Sequence, residues 1–415
     1  MTYAILTLGC KLNQADSATV AGRLGGSSGA APVRDADLVV LNTCTVTHKA
    51  DREARRLLRC IRRENPRALV AVMGCAAKRD AAAFRTMPEV DAVLDSGQSL
   101  EDFLASHGPQ PSARDHGCVP CFGDRTRAFL KIQEGCDFPC TYCIIPSVRG
   151  PSRSVVPEAV AEDLALLLGA GYREVVLTGI NTGEYGKDIG FAGGLAALVE
   201  RLLEVPGTFR LRLNSVEPRA VTGHLRALIR MEDRLCPHLQ IPLQSGSDEV
   251  LAAMRRNYRA GYYAEVVSSL AEAVPGVALG ADVLVGFPTE TPADFDATLA
   301  LVEKLPLAFV HAFSYSARPG TRASGLPALP GKEVAARTAR IRELGEAKRS
   351  AFAASFAGSE REALTLAPEG ASGRALTDNY LDVELEETLP ANRFVRVALH
   401  LEGRGRLRGR VPTPA

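Results

Sequence analysis

The alternation of short apolar runs with helical patterns is the sequence feature that most constrains the fold of this chain. Between residue 1 and about residue 105 the apolar runs are YAILTLG, DLVVLNT, ALVAVMG and DAVLDSG, and stretches of helical periodicity separate them. Strands that alternate with helices are typical of βαβ units, in which the strands lie parallel in one sheet. The sequence therefore predicts an α/β protein whose residues 1–106 form a parallel-sheet domain.

The same alternation continues beyond residue 126 and indicates a second α/β domain. Its apolar segments are residues 129–132, 174–177, 210–213, 239–243, 279–285 and 309–315. Six β/α units over about 190 residues favour a barrel or partial barrel over a flat sheet. We therefore assign residues 127–356 to a partial (β/α)6 barrel, and we expect its functional groups at the carboxyl edge of the strands.

The segments on either side of this barrel differ from it in composition and period. Residues 107–126 are rich in Gly, Pro and Ser without periodicity, which predicts a linker between domains. Residues 357–415 alternate apolar and polar residues in REALTLAP, YLDVELEE and RFVRVALHLEG, which predicts a small antiparallel β module. The stretch RFVRVALHLEGRGRLRGR in this module carries six arginines against Glu402 alone.

Composition gives an indication of the cellular location of the protein but not of its function. The formal net charge of +1 gives no sign of a nucleic-acid partner. The start MTYAILTLGCKLNQADS lacks the features of a signal peptide, and no apolar run approaches the roughly 20 residues of a membrane span. We expect a cytoplasmic protein with no membrane partner. Ten cysteines in such a protein indicate metal or redox chemistry rather than disulfides.

Three of these cysteines, Cys136, Cys140 and Cys143, lie within eight positions of one another, just after the first predicted barrel strand. Thiolates at C-x3-C-x2-C spacing can hold three corners of a cubane iron–sulfur cluster and leave one iron without a protein ligand. That open iron is the arrangement needed to bind a small molecule directly. The alternatives are chance proximity and a zinc site completed by a distant His.

Cys10, Cys44 and Cys75 each follow an apolar run directly, in LTLGC, VVLNTC and VAVMGC. Because the carboxyl ends of parallel strands share one edge of a sheet, these three thiols should converge where open α/β sheets bind ligands. The pattern predicts a second cluster site, again with one open corner. The alternative is that the three are inert cysteines at strand ends.

The spacing of Cys136, Cys140 and Cys143 resembles the cluster motif of the radical S-adenosylmethionine enzymes. Together with the N-terminal domain and the β module, essentially the whole chain resembles the methylthiotransferase family. LGCKLNQADSAT and NTCTVTHKADREARR are most similar to the branch, of MtaB type, that modifies N6-threonylcarbamoyladenosine in tRNA. The C-terminal module, with TDNYLDVELEE, resembles the TRAM RNA-binding domain.

This resemblance implies two [4Fe–4S] clusters, S-adenosylmethionine as cofactor, and addition of a methylthio group to C2 of the base at position 37, next to the anticodon. It also implies that the base is extruded from the anticodon loop into a cavity that both clusters face. The implied partners are a tRNA anticodon stem-loop, an electron donor such as a flavodoxin or ferredoxin, and a sulfur source. Alternative substrates are isopentenyladenosine in tRNA and an aspartate of a ribosomal protein. A non-enzymatic iron–sulfur RNA-binding protein is the alternative outside enzymes.

Further candidates come from strand ends and from arginine-rich stretches. The residues after the barrel strands are candidates for cofactor binding, with ordinary turns and helix caps as the alternative: Thr178, Gly179, Asn181, Ser215, Glu217, Gln244, Ser245, Phe287 and Pro288. A basic helix face, the cluster loop and the last strand supply candidates for RNA binding, with solvated surface as the alternative: Arg52, Arg55, Arg59, Arg149, Arg153, Arg404, Arg406 and Arg408. Cys118 and Cys121 form a C-x2-C pair with no second pair nearby, and we interpret them as linker residues, with a redox-active pair or half of a zinc site as the alternatives.

Overall fold

The computed structural model describes residues 1–107, 120–123, 125–369, 372–402 and 406–412. Most of the predicted linker, including Cys118, therefore lies outside the described residues. Within the described part of the chain, no helix is both long and apolar enough to cross a membrane.

The N-terminal domain is the predicted parallel sheet covered by helices. Its strands pair in chain order, all parallel: β1 (Tyr3–Thr7), β2 (Leu38–Thr43), β3 (Leu69–Gly74) and β4 (Ala92–Leu94). The helices are α1 (Lys11–Arg23), α2 (His48–Glu64), α3 (Cys75–Arg79), α4 (Ala81–Arg85) and α5 (Gly97–His107). β2 is buried along its whole length, as expected of a central parallel strand.

The amphipathic helix α2 shows why these sequences fold as they do. Thr47 caps its first turn, because its side chain accepts a hydrogen bond from the backbone N–H of Ala50. Ala54, Leu58 and Ile61 are buried against the sheet, as their helical spacing predicts. The arginines of α2 lie between and opposite these residues, toward solvent.

The central domain contains all six predicted strands, which pair in parallel. They are β5 (Arg127–Lys131), β8 (Glu174–Thr178), β9 (Arg210–Leu213), β10 (His238–Gln244), β11 (Ala278–Val285) and β12 (Phe309–Ser314), and a short hairpin of β6 (Gln133–Glu134) and β7 (Arg153–Ser154) follows β5. β5, β8 and β9 form one sheet, β10, β11 and β12 form another, and isolated bridges join β9 to β10. β12 and β5 do not pair in the described residues, so the barrel is open between them.

Helices surround this partial barrel on its outer face. They are α7 (Pro157–Gly169), α8 (Gly194–Leu203), α9 (Gly223–Met231), α10 (Asp248–Ala253), α11 (Ala260–Ala273), α12 (Pro292–Lys304) and α13 (Gly331–Ala354). The short helix α6 (Ile145–Arg149) instead packs against α3 of the N-terminal domain. The largest hydrophobic core lies between strands and helices of this domain. Ala15 and Ala18 of α1 belong to the same core, so the N-terminal domain packs directly on the barrel beside β5.

The C-terminal module is a small closed β barrel. Its strands are β13 (Glu360–Glu369), β14 (Ser372–Thr377), β15 (Asp382–Leu385), β16 (Phe394–Glu402) and β17 (Arg406–Arg410), and they close in the order β13-β14-β15-β17-β16. The prediction of a purely antiparallel module is wrong in one respect, since β15 and β17 pair in parallel. Closing a barrel with an odd number of strands requires one such pair.

This module packs against the amino end of the central barrel. Arg210 and Arg212, at the start of β9, donate hydrogen bonds to the carbonyls of Leu376, Thr377 and Asp378 over 2.8 to 3.2 Å. The ring of Tyr380 stacks on that of His238, with 4.3 Å between their centroids. The opposite, carboxyl end of the strands stays free for the loops that carry the cysteines.

Candidate active site between two cysteine sets

The first cysteine set, Cys136, Cys140 and Cys143, lies in the loop between β6 and α6 at the carboxyl end of the barrel. The loop starts at Gly135, whose φ of +73° and close approach require glycine, since a Cβ there would lie 1.9 Å from the Pro151 carbonyl oxygen. The backbone N–H of Cys136 donates to the Gly150 carbonyl over 3.1 Å, which closes the loop. The three thiols are half-buried and thus accessible to a ligand.

Burial shapes the chemistry of these thiols. It raises the pKa of Cys136, and it raises the pKa of Cys143 to about 12, with the neighbouring thiols adding to the effect. The guanidinium of Arg256 acts in the other direction on the pKa of Cys143, and it donates a hydrogen bond to the Cys140 sulfur over 3.3 Å. The carboxylate of Glu217 pairs with the same guanidinium and holds it in place.

The second set, Cys10, Cys44 and Cys75, lies at the carboxyl edge of the N-terminal sheet, as predicted. Cys10 precedes α1 after β1, Cys44 follows β2, and Cys75 is the first residue of α3 directly after β3. Gly9, with φ of +101°, allows the close approach of two of these loops, since a Cβ there would lie 2.8 Å from the Cys44 Cβ. Burial, and to a lesser extent the thiols of Cys75 and Cys10, raise the pKa of Cys44 to about 11.

Arg149 connects the second cysteine set to the strand that precedes the loop of the first set. Its guanidinium donates to the Cys75 sulfur over 3.2 Å, to Asn13 over 2.6 Å and to Asp16 over 3.1 Å, all in the N-terminal domain. It also donates over 2.9 Å to Glu134, which directly precedes the loop of the first set. The prediction that Arg149 contacts RNA phosphate is therefore wrong, because the side chain is buried and its donors are used inside the protein.

The donor chemistry of the two sets suits a cluster better than a single ion. Within the described residues, no three or more His, Cys, Asp or Glu side chains are grouped to hold one metal ion. Zinc bound by cysteine needs sulfurs about 2.3 Å from one centre, whereas each corner of an iron–sulfur cube holds its own thiolate. Three thiols on one loop, or at three adjacent strand ends, fit the second arrangement.

Two family models match the two α/β domains. Residues 2–95 match the family described as Uncharacterized protein family UPF0004, and residues 130–302 match the Radical SAM superfamily. A protein of Aquifex aeolicus named threonylcarbamoyladenosine tRNA methylthiotransferase MtaB is 35% identical over 417 residues, which cover 96% of this chain and 100% of that protein. The chain belongs to the radical SAM methylthiotransferase family.

Other relatives place this methylthiotransferase within the family. Four of the proteins that carry the MtaB name are 32 to 38% identical over 80 to 96% of the chain, and the chain is of this type. A Moorella thermoacetica protein named tRNA-2-methylthio-N(6)-dimethylallyladenosine synthase is 34% identical over 425 residues, which cover 96% of this chain and 95% of that protein. The family membership excludes the alternative of a non-enzymatic RNA-binding protein.

A solved structure shows the same fold without close sequence similarity. The cobalamin-dependent S-adenosylmethionine radical enzyme OxsB gives a TM-score of 0.52 at 12% identity, over 83% of this chain and 56% of that chain. The radical SAM match implies that the methylthiotransferase uses S-adenosylmethionine and a [4Fe–4S] cluster. Asn181, after β8, fits a bound cofactor, since it is buried at the mouth and its side-chain amide lies beside the Cys136 thiol, whose pKa it lowers against the effect of burial.

Most of the predicted cofactor-binding residues lie at the mouth of the barrel, which is the carboxyl end of its strands, whereas Ser245 makes its contacts inside the fold. Thr178, Gly179 and Asn181 form a turn that is anchored by Gln133, which accepts the backbone N–H of Asn181 over 2.9 Å. Ser245 is buried, and its hydroxyl contacts Thr298 of α12 over 3.2 Å, on the outer side of the barrel. The remaining candidates lie near the mouth: Ser215, Glu217, Gln244, Phe287 and Pro288.

Gln244 and Phe287 differ in how the fold holds them. Gln244 has a φ of +64° at an irregularity in the pairing of β10 with β11, which turns the chain away from the strand. Phe287 is fully buried and packs against Tyr315 with 5.8 Å between ring centroids. Phe287 therefore supports the wall of the barrel mouth. Contact of the candidate residues with S-adenosylmethionine stays a prediction.

The predicted RNA-binding arginines of α2 are partly neutralised. Arg52 and Arg59 are exposed, although Arg59 lies 4.0 Å from Glu89, and Arg55 lies 3.6 Å from Asp80. Arg62 on the same helix binds backbone carbonyls and Asp91, so it supports the domain rather than a ligand.

The other predicted RNA-binding arginines lie on the barrel and the module. Arg153 is exposed beside the cluster loop. Arg406 lies 3.2 Å from Glu384 and Arg408 lies 2.9 Å from Glu402, whereas Arg404 lies outside the described residues. Two further cysteines of the described chain lie apart from the two sets, with Cys236 buried just before β10 and Cys60 on α2.

Several residues of the methylthiotransferase site were not predicted from the sequence. Arg256 contacts Cys140, and Lys11 donates to the Asn214 side chain over 2.8 Å, across the boundary between the two domains. Arg318 donates to Thr45, next to Cys44, over 2.8 Å. The position of Lys11 directly after Cys10 was the one available signal, since a residue beside a cluster ligand must lie near the cluster.

Proposed function

We propose that this methylthiotransferase adds a methylthio group to C2 of N6-threonylcarbamoyladenosine at position 37 of tRNA, next to the anticodon. The observation that supports this most strongly is the pair of three-cysteine sets, Cys136, Cys140 and Cys143 in the barrel and Cys10, Cys44 and Cys75 in the N-terminal domain. Arg149 binds Cys75 of the second set and Glu134, which precedes the loop of the first. Each set lacks a fourth thiolate, so each would leave one iron open to a small molecule. The MtaB-type relatives support the choice of substrate.

In this proposal the barrel set holds the cluster that binds S-adenosylmethionine, and the N-terminal set holds a second [4Fe–4S] cluster. When bound, these groups supply the 5′-deoxyadenosyl radical that removes hydrogen from C2 and the sulfur that is methylated and transferred. Asn181 and the turn that follows Thr178 would orient S-adenosylmethionine at the mouth of the barrel. Arg256 would stabilise the Cys140 thiolate, with Glu217 as its positioning partner.

The target base must reach this mouth, because C2 of a stacked purine is inaccessible. We expect the base to enter at the carboxyl ends of the barrel strands, where both cysteine sets lie. A separate cleft of about 1190 Å³ lies at the amino ends of β5 and β12, between α13 and the C-terminal module, and we expect it to hold another part of the tRNA. Its lining includes aromatic rings, such as those of Phe309 and Tyr380, and five arginines: Arg127, Arg342, Arg349, Arg374 and Arg406. Arginine and aromatic side chains are the groups that bind unstacked RNA.

The remaining partners follow from the reaction. Reductive cleavage of S-adenosylmethionine needs a one-electron donor, for which a flavodoxin or ferredoxin is suitable. Each turnover consumes a sulfur atom, so a sulfur source must replenish it. A tRNA substrate places the enzyme in the cytoplasm. Arg52, Arg59 and Arg153 are exposed and are the candidates for contacts with tRNA phosphates.

The proposal is tested by mass spectrometry of digested tRNA from cells with and without this chain. We expect the methylthio derivative of threonylcarbamoyladenosine only when the chain is present. Its presence at the same level in both would disprove the assignment.

Methylthiolation of isopentenyladenosine is the second candidate, because the relative named for dimethylallyladenosine is almost as similar over nearly the whole chain. The same tRNA digests separate the two substrates. A methylthio group that accumulates on isopentenyladenosine, with threonylcarbamoyladenosine unchanged, would favour this second candidate.

A further inference from the structure

Lys11 extends from the N-terminal domain into the mouth of the barrel. It is the first residue of α1 and directly follows Cys10. Its Nζ donates to Asn214 Oδ1 over 2.8 Å, and Asn214 directly follows β9 at the carboxyl end of the strand. The Asn214 amide lies 3.4 Å from the hydroxyl oxygen of Thr178, at the end of β8. A lysine of one domain is thus held beside the carboxyl ends of two strands of the other.

The charged groups around Lys11 leave an excess of positive charge. The ionisable groups with the largest electrostatic effect on it within the described chain are Tyr380, Arg127, Arg212 and Glu174. Glu174 is the one carboxylate among them, and it is already bound by Arg210 and Arg212 over 2.7 to 3.0 Å. Because a half-buried cation that has mainly other cations around it is stabilised by an anion, this environment favours a ligand that carries negative charge.

Lys11 itself keeps donor capacity for such a ligand. An ammonium group has three N–H donors, and the one contact described for it is the bond to Asn214. The side chain is half-buried rather than fully enclosed, so it can be reached from the mouth.

The proposed substrate carries a negative charge in the appropriate place. A threonylcarbamoyl group ends in a carboxylate, and it is attached at N6 of the adenine. On the purine ring only N1 separates C6, which bears this substituent, from C2, where the methylthio group is added. A base whose C2 faces the second cysteine set therefore presents its N6 substituent close by, and Lys11 is the residue next to Cys10.

We propose that Lys11 binds the carboxylate of the threonylcarbamoyl group and selects this substrate over adenosines with a neutral substituent. Asn214 is the positioning residue that holds the ammonium at the strand ends. This inference rests on the proposed function, since it names the residue that would distinguish the two candidate substrates. A charge-assisted hydrogen bond of this kind corresponds to a discrimination of about tenfold or more.

The test compares anticodon stem-loops that carry threonylcarbamoyladenosine, its neutral methyl ester, or adenosine at the modification position. Dissociation constants are measured for the cluster-loaded wild type and for Lys11→Gln, Lys11→Arg and Lys304→Gln, the last being an exposed lysine of α12. We expect wild type, Lys11→Arg and Lys304→Gln to bind the acid about tenfold more tightly than the ester. For Lys11→Gln the ratio should fall to about one, and this ratio is an internal control because misfolding lowers both affinities.

A wild-type ratio near one, or an unchanged ratio in Lys11→Gln, would overturn the inference. If Lys11→Gln bound no stem-loop at all, Asn214→Leu would decide instead, since a displaced ammonium must lower the acid-to-ester ratio and an unchanged ratio contradicts its role. Mass spectrometry of the wild-type reaction separates the two proposals. Methylthiolation of threonylcarbamoyladenosine with an unchanged Lys11→Gln ratio refutes the role of Lys11 alone, whereas no such product refutes the proposed function.

Discussion

At the scale of single residues, Arg149 is the side chain that links the two halves of the site. It is 4% exposed and reaches three residues of the N-terminal domain and one of the barrel. Burial alone would raise the pKa of Asp16, but Lys131 and Arg149 outweigh burial and hold that pKa below its ordinary value. The ion pairs at this boundary therefore depend on one another.

Replacing Arg149 by Met should lower the free energy of unfolding by about 3–5 kcal/mol, because Asp16 and Glu134 would remain largely buried without this cation. Urea denaturation of the purified protein measures this. Arg153→Met is the matched control, since Arg153 is 57% exposed four residues further on, and it should change stability by no more than about 0.5 kcal/mol. Equal effects of the two substitutions would show that the Arg149 contacts do not hold the domains together.

The cysteines could be predicted from the sequence, whereas their arginine partners could not. Spacing placed Cys136, Cys140 and Cys143 on one loop, and the position after each strand placed Cys10, Cys44 and Cys75 at one edge. Arg149 contacts Cys75 across 74 positions of sequence, and Arg256 contacts Cys140 across 116. No local sequence pattern predicts such contacts, because they depend on how the helices and domains pack against one another.

At the scale of secondary-structure elements, α2 presents the basic face most open to RNA. Its arginines differ in what they do, since Arg62 binds the N-terminal domain and Arg56 pairs with Glu53, whereas Arg52 and Arg59 are exposed. The regular spacing of arginine in the sequence predicted a uniform basic strip. The acidic residues that neutralise part of it lie on α2 itself and on neighbouring segments.

Reversing Arg52 and Arg59 to Glu should weaken tRNA binding at low salt and reduce its dependence on salt. Each lost phosphate contact lowers the slope of log K against log salt by about 0.9 on a duplex stem. The measurement is a tRNA titration at several salt concentrations. Arg230→Glu with Lys304→Glu, two exposed cations in the last turns of α9 and α12, serves as the control for charge. An identical loss of affinity in both pairs would remove any special role for α2.

In the C-terminal module, the alternation of apolar and polar residues predicted only some of the strands. Alternation in REALTLAP, YLDVELEE and RFVRVALHLEG identified β13, β15 and β16, but β14 and β17 are arginine- and glycine-containing strands that a hydrophobic pattern misses. The parallel pairing of β15 with β17 could not be predicted either, because alternation defines the two faces of a strand and not its neighbour.

At the scale of the whole molecule, the three domains meet around the barrel. The N-terminal domain covers the mouth and the side of β5, and the C-terminal module closes the base through Arg210 and Arg212. Glu174, fully buried, is the anion that both arginines share. Burial alone would raise the pKa of Glu174, but Arg212 and Arg210 outweigh burial and hold that pKa well below its ordinary value of 4.5.

The Glu174→Gln substitution should cost about 3–5 kcal/mol of stability at neutral pH, because it leaves buried arginines without their carboxylate. The control is Glu158→Gln, whose exposed pair with Arg201 contributes at most about 1 kcal/mol. Since the folded pKa lies below 4.5, the carboxylate contribution is present above pH 4.5 and is lost as pH falls below it. Urea denaturation of the wild type and of Glu174→Gln from pH 7 to pH 3 should show that the difference between their free energies of unfolding becomes smaller as the pH falls. A difference that stays constant would contradict this.

The central claim is that two incomplete thiolate sets, in two domains, act on one base. The most direct measurement is mass spectrometry of the small-molecule and tRNA products formed by the wild type and by a variant in which Cys10, Cys44 and Cys75 are all changed to Ala. We expect the wild type to form 5′-deoxyadenosine and methylthiolated tRNA, and the variant to form 5′-deoxyadenosine without any methylthiolated tRNA. Methylthiolated tRNA at the wild-type level from the variant would contradict the account.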